Sequence, residues 1–131
     1  MEAFKLEFLV RDYECDLQGI VNNANYQHYL EHARHVYIKK LGIDFAELHQ
    51  QGIDLVVARI DMAFKTPLKS NDSFEVSVSL KKEGIRWVFH QDIVRIPDQK
   101  MVVKAKVDTV ALVNGRLSDY QPLNEALASW M

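Results

Sequence analysis

The sequence predicts an α+β fold, with one long helix set against an antiparallel sheet of five strands. Three observations predict it. Apolar residues recur at every second position before Asn23 and at helical spacing after it. The single helical stretch is followed by strand-like segments in succession. Short turn signals separate the last of these, as antiparallel neighbours require.

Phe4, Leu6, Phe8 and Val10 alternate with Lys5, Glu7 and Arg11, which marks a strand with one covered face; Leu9 interrupts its polar side. Tyr26, Tyr29, Leu30, Ala33, Tyr37 and Leu41 then fall on one helical face, so a helix is expected over 24–41. Asn22 or Asn23 suits its N-cap, because a short side-chain oxygen accepts from the free N–H groups of the first turn. Gly42 suits the position just past its end. A shorter helical turn is expected over 44–50.

Four strands follow in an expected meander. Val56, Ala58, Ile60, Met62 and Phe64 mark the first. In the second, Phe74, Val76, Val78 and Leu80 alternate with polar residues. The third covers 85–96 and the fourth 101–113, with turns at Glu83-Gly84 and Pro97-Asp98-Gln99. Pro67, Ser70 and Asn71 form the loop between the first two. Pro122 opens a last short helix with Leu123, Ala126, Leu127 and Trp130 on one side. The adjacent Val102 and Val103 put apolar side chains on both faces of the sheet, and one helix covers only part of five strands. A second copy of the chain is the expected cover, which makes a homodimer or homotetramer.

At 131 residues the chain fits one domain over 1–131, large enough to fold without disulfide or metal. A net charge of −2 with no long basic run excludes the cationic face that non-specific nucleic-acid binding needs. Cys15 is the only cysteine, so an intramolecular disulfide is excluded and a reducing, cytoplasmic setting is expected. No apolar run reaches membrane-spanning length, and the first residues do not resemble a signal peptide, so no membrane partner is expected.

Residues 15–26, CDLQGIVNNANY, place the Asp16 carboxylate beside apolar residues just before a helix start. Residues 13–26, followed by Tyr29-Leu30-Glu31-His32-Ala33-Arg34, resemble the hotdog-fold acyl-CoA thioesterases of the 4-hydroxybenzoyl-CoA thioesterase type. The shared pattern is an Asp, a Gly three residues on, a hydrophobic pair, a Tyr, and then Glu-x-Ala-Arg. Residues 67–72, PLKSND, resemble that family's loop after its second strand. The resemblance implies a hotdog fold, a curled sheet wrapped around one long central helix. It also implies a thioester hydrolase working at a dimer interface, with Asp16 as nucleophile or general base and the peptide N–H of Asn23 polarising the carbonyl. Chemistry agrees: a thioester is electrophilic enough for a carboxylate or an activated water, and a helix N-terminus offers free N–H groups to an oxyanion. Gly19 permits the tight turn. Where several members carry His or Tyr this sequence has Asn23, and Asn22-Asn23 resembles the VNN segment of hotdog acyl-carrier-protein thioesterases. The carrier, CoA or a protein, is therefore open, and a non-catalytic acyl-ligand binder is the third reading.

Gly19, Val21, Asn22 and Tyr26 are the expected substrate-binding neighbours of Asp16 and Asn23, and the acyl group is expected in an apolar pocket between subunits bounded by Tyr26, Tyr29 and the 56–64 strand. Lys81, Lys82 and Arg86 flank a hairpin and are candidates for holding the phosphates of CoA, against the alternative that they protect a strand edge. Glu31 has a structural reading, pairing with Arg34, and a weaker catalytic one. His28, Glu31, His32 and His35 share helical spacing but read as a polar face, and Cys15 reads as a small packed residue. No metal and no organic cofactor are expected.

Overall fold

The structure, a computed structural model, describes residues 4–129. Strand β1 (Phe4–Leu9) is followed by a single 3-10 turn at Asp12–Glu14 and by helix α1 (Asn23–Lys40). Helix α2 (Phe45–Gln50) then precedes β2 (Ile53–Phe64), β3 (Ser73–Glu83), β4 (Arg86–Ile96), β5 (Lys100–Val113), β6 (Arg116–Ser118) and helix α3 (Gln121–Ala128). Among the described residues there are six strands and three α-helices: the sheet has one strand more than expected, and the two short helices lie where short helices are expected beside the long one. The sheet is open and antiparallel, in the order β1-β3-β4-β5-β2.

The sixth strand is short and pairs Arg116, Leu117 and Ser118 with the end of β5, just past Val110, where the pairing with β4 stops. Its turn is Asn114-Gly115, with φ of 51° and 79°. Two successive left-handed residues make the hairpin turn that matches strand twist, and Asn-Gly tolerates both. The opposite hairpin, β3 to β4, turns on Gly84 at φ 62° with Glu83 facing Arg86.

The expected meander is also corrected. Only β3, β4 and β5 run as neighbours, while β2 lies on the far side of β5. The segment 65–72 is too long for a tight hairpin and crosses from β2 at one sheet edge to β3 near the other. It anchors itself on Leu68, which is fully buried.

Helix α1 starts and stops by recognisable chemistry. The Asn22 side chain accepts from the Ala24 N–H at 2.9 Å. At the other end the Gly42 N–H reaches Lys39 O at 3.0 Å and the Ile43 N–H reaches Ile38 O at 3.4 Å, with Gly42 at φ 81°. That pair of bonds satisfies the last carbonyls through a left-handed glycine. Tyr26, Tyr29, Leu30, Ala33 and Tyr37 are buried as the stripe predicts, joined by Ile38 and Arg34. They meet the sheet through aromatic packing: Tyr29 and Phe8 both lie against Phe74, at ring distances of 4.7 and 5.1 Å.

Val102 and Val103 are both buried within the single chain. The register explains it. Ile93 faces Val103 while Val94 faces Met101, so Val102 is an extra residue in a bulge. This pair therefore gives no argument for a second copy. An exposed apolar margin does lie on β2, a twelve-residue edge strand with Val57 and Phe64 left 44% and 50% exposed. The other edge, β1, has six residues and shows Lys5 and Glu7 to solvent. Pro122 sits in the first turn of α3 as expected, Leu123 and Leu127 are buried, and Trp130 lies outside the described residues.

Candidate active site

The chain between β1 and α1 builds a small clamped hairpin. A single bridge pairs Cys15 with Val21. The Asp16 N–H donates to Ile20 O at 2.9 Å, and the Gly19 N–H donates to Asp16 O at 3.0 Å. The Asp16 carboxylate accepts from the Gln18 N–H at 2.8 Å, which tightens the same turn. Gly19 has φ 79°, and a methyl group there would meet nothing within 4 Å. Its role is conformational, with open space above it. Asp16 itself is exposed.

The hairpin is fixed on two sides. The Val21 N–H donates to Leu68 O at 2.8 Å, and Ile20 bridges to Lys69, so the crossing segment closes one flank. The Leu68 N–H in turn donates to the Tyr26 hydroxyl at 3.0 Å. On the other flank the Glu14 carbonyl accepts from the Asn22 N–H at 3.1 Å and from Asn25 Nδ2 at 2.8 Å. The Glu14 carboxylate takes the Arg11 N–H at 2.8 Å and lies 3.4 Å from the Arg11 guanidinium.

A cleft of about 260 Å³ opens at the start of α1. Ile20, Val21, Asn23 and Tyr26 form one wall; Phe64, Lys65, Thr66 and Pro67 form the other. Asn23 is the first helical residue, so its N–H has no intrahelical acceptor, and among the described residues it has none elsewhere. The cleft is therefore bordered by a residue with an open N–H at the positive end of a long helix. Burial pushes the Tyr26 phenol up, more than its bond from Leu68 lowers it. Tyr26 is thus a protonated wall residue, not a base.

The structure brings Val21, Asn23 and Tyr26 together and holds Asp16 and Gly19 on the adjoining turn. The Asn22 side chain is occupied by the cap. Lys81, Lys82 and Arg86 lie elsewhere, at the β3–β4 turn, roughly 25–30 Å along β3 from the end near the cleft. Lys82 is bound to Asp119 at 2.6 Å and Arg86 to Asp108 at 2.9 Å, while Lys81 is exposed. Glu31 pairs with His35 at 3.9 Å, not with Arg34, whose guanidinium is buried and donates to Gln91 at 3.0 Å. Cys15 is half-buried against the core. Of the second wall, Phe64 belongs to the 56–64 strand expected to bound the acyl pocket, whereas Lys65, Thr66 and Pro67 were not legible as part of a site. Pro67 signals a loop, but only the crossing of the sheet brings Phe64 to Pro67 against the helix start.

The chain is 36% identical over 114 residues to the acyl-acyl carrier protein thioesterase ATL3, chloroplastic, of Arabidopsis thaliana, covering 86% of this chain and 60% of that protein. It spans about three fifths of the length of this relative and of its counterpart ATL2. The crystal structure of YbaW, a probable thioesterase from Escherichia coli, superposes with a TM-score of 0.84 at 25% identity, covering 96% of this chain and 97% of that one. Slr0204, a 1,4-dihydroxy-2-naphthoyl-CoA thioesterase from Synechocystis, gives a TM-score of 0.88 at 15% identity over 97% and 96% of the two chains, a likeness of hotdog fold alone. The Thioesterase-like superfamily matches residues 10–131, which run from the end of β1 through the hairpin, the cleft and the sheet, and the chain belongs to that superfamily.

Proposed function

We propose that this chain, as one hotdog domain, hydrolyses acyl-CoA: the thioester and water give a carboxylic acid and free CoA thiol. The observation that carries the reading is that Asn23, whose N–H is open at the head of an 18-residue helix, lines a cleft beside the clamped Asp16 carboxylate. The thioester carbonyl oxygen lies on that N–H and becomes the oxyanion of the tetrahedral intermediate. Asp16 attacks the carbonyl carbon or takes a proton from the attacking water. The acyl group follows the wall of Tyr26 and Phe64. The reaction runs in the cytoplasm, with no metal or organic cofactor.

The β2 edge supports a homo-oligomer in which a second copy covers Val57 and Phe64 and completes the cleft. The ion pairs made by Lys82 and Arg86 favour a structural role for them, which withdraws support from the CoA-phosphate reading of Lys81, Lys82 and Arg86. A second reading keeps the chemistry and exchanges CoA for acyl-carrier protein; the 36% identity to a plant acyl-acyl carrier protein thioesterase favours it.

The test is release of free thiol from short, long and aromatic acyl-CoAs and from acyl-carrier-protein thioesters, with wild type and Asp16→Asn in parallel. Turnover that falls by on the order of 10³-fold or more in the variant, with its melting temperature kept, is the expected result. Equal turnover in both removes Asp16 from the chemistry. A gain of the protein-bound thioester over the CoA thioester decides the carrier. Binding of acyl-CoA without turnover returns the chain to a ligand-binding role.

A further inference from the structure

We infer that Asn25 is a positioning residue that fixes the Asp16 hairpin against the first turn of α1. This rests on the thioesterase reading of the site and adds to it the residue that sets its geometry.

An asparagine in the first turn of a helix ordinarily points to water. Asn25 does not. It is half-buried, and its Nδ2 reaches back eleven residues to donate to Glu14 O at 2.8 Å. A carbonyl only accepts, so chemistry assigns the NH2 end of the amide to this contact. The Oδ1 end then faces His28 Nδ1 at 3.3 Å, which requires that nitrogen to carry the proton. The amide is held at both ends, and turning it over would set its Oδ1 against the Glu14 carbonyl oxygen, two acceptors face to face.

The Glu14 carbonyl is the meeting point. It accepts from the Asn22 N–H as well, so both of its lone pairs are engaged by the start of α1. Only Cys15 separates Glu14 from Asp16 along the chain. The remaining ties of the hairpin are its own internal bonds and the links to Leu68 and Lys69, which hold the opposite flank. Among the described residues Asn25 is therefore the only side chain of α1 with hydrogen-bond geometry to the stretch leading into Asp16; the Tyr29 phenol lies near the Glu14 carboxylate without that geometry. Without it one backbone bond, from Asn22, is left on that flank. The fold survives, and the carboxylate drifts relative to the Asn23 N–H. A displacement near 1 Å between a reacting group and its oxyanion site costs up to about 100-fold in rate.

The variants are Asn25→Ala, which deletes the donor, and Asn25→Asp, which keeps the shape and turns an acceptor toward the Glu14 carbonyl. Steady-state thiol release, thermal melting and hydrogen exchange of peptides covering 15–21 are measured on the whole chain. Expected are a kcat reduced at least about tenfold in both variants, KM within about twofold of wild type, and faster exchange in 15–21 with the middle of α1 unchanged. Wild-type kcat in either variant overturns the inference. So does loss of the fold in both, which would make Asn25 a structural residue. A wild type that turns over no CoA or carrier-protein thioester defeats the functional reading instead; the exchange measurement then still reports whether Asn25 fixes the hairpin.

Discussion

At the scale of single residues, proline separates the Asn23 backbone from its side chain. Pro is tolerated at the first helical position because the N–H it lacks has no intrahelical partner there. Asn22 already has φ −65° and ψ 139°, a conformation that a following proline accepts. Asn23→Pro is therefore expected to leave the helix and its Asn22 cap in place and to lower kcat by about 10²–10³-fold, while Asn23→Ala stays within a few-fold. Comparable kinetics for the two would remove the N–H from the mechanism. A different residue-scale effect concerns alkali. Burial pushes the phenols of Tyr26, Tyr29 and Tyr37 up, and the nearby Glu14 carboxylate raises Tyr29 further, although no acceptor meets its hydroxyl with hydrogen-bond geometry. A raised folded pKa means that the native state holds these protons more tightly than the unfolded chain does. The stabilisation is complete below about pH 10 and is lost as pH rises through the folded values. Denaturant midpoints are expected to be flat up to that point and to fall above it, with a shallower fall in Tyr29→Phe. The turn that carries Asp16 and the helix start at Asn23 were legible because their signal is local. Asn25 was not, because its partner lies eleven positions away and is a main-chain oxygen, to which the residue type at position 14 is silent.

Elements repeat that lesson with turns in place of side chains. The long helix was readable from its stripe, its Asn22 cap and its Gly42 stop, since each acts within a few residues. The sixth strand had its cue in Asn114-Gly115. The crossing of 65–72 had none, because nothing in PLKSND tells which edge of the sheet comes next. Two turns that are distant in sequence also lock together: the Asn114 N–H donates to Gly52 O at 2.7 Å, and a methyl group on Gly52 would collide with the Asn114 side chain. Gly52 is also left-handed, at φ 81°. Gly52→Ala is therefore expected to cost more than the ~1 kcal/mol of a left-handed alanine alone. Trimming the obstacle in Gly52→Ala/Asn114→Gly should recover part of the loss in a denaturation cycle, and additive losses would show that the turns do not interact. In the core, Phe74 is fully buried between Phe8 and Tyr29, and Phe74→Ala is expected to cost about 3–5 kcal/mol by the same measurement.

Across the whole molecule the two sheet edges are unequal. Edge β2 is long and keeps Val56, Val57 and Phe64 at its surface, whereas β1 is half its length and shows Lys5, Glu7 and a single large apolar residue, Leu9. Sedimentation of the wild type is expected to show a species larger than the single chain. Val57→Lys should shift it toward the single chain and lower thiol release together, if the cleft beside Phe64 is shared between copies. Retained activity in a folded monomer would put the whole site in one chain. Among the described residues no helix is long and apolar enough to cross a membrane. The inequality of the edges also bears on how far a shared sheet would extend. Two copies joined antiparallel through β2 consume that edge in both, and the enlarged sheet then ends at either side in a short strand bearing Lys5 and Glu7. A sheet with two long apolar margins would go on adding chains into a fibre, whereas a pair joined through β2 would present only these two short strands at its ends.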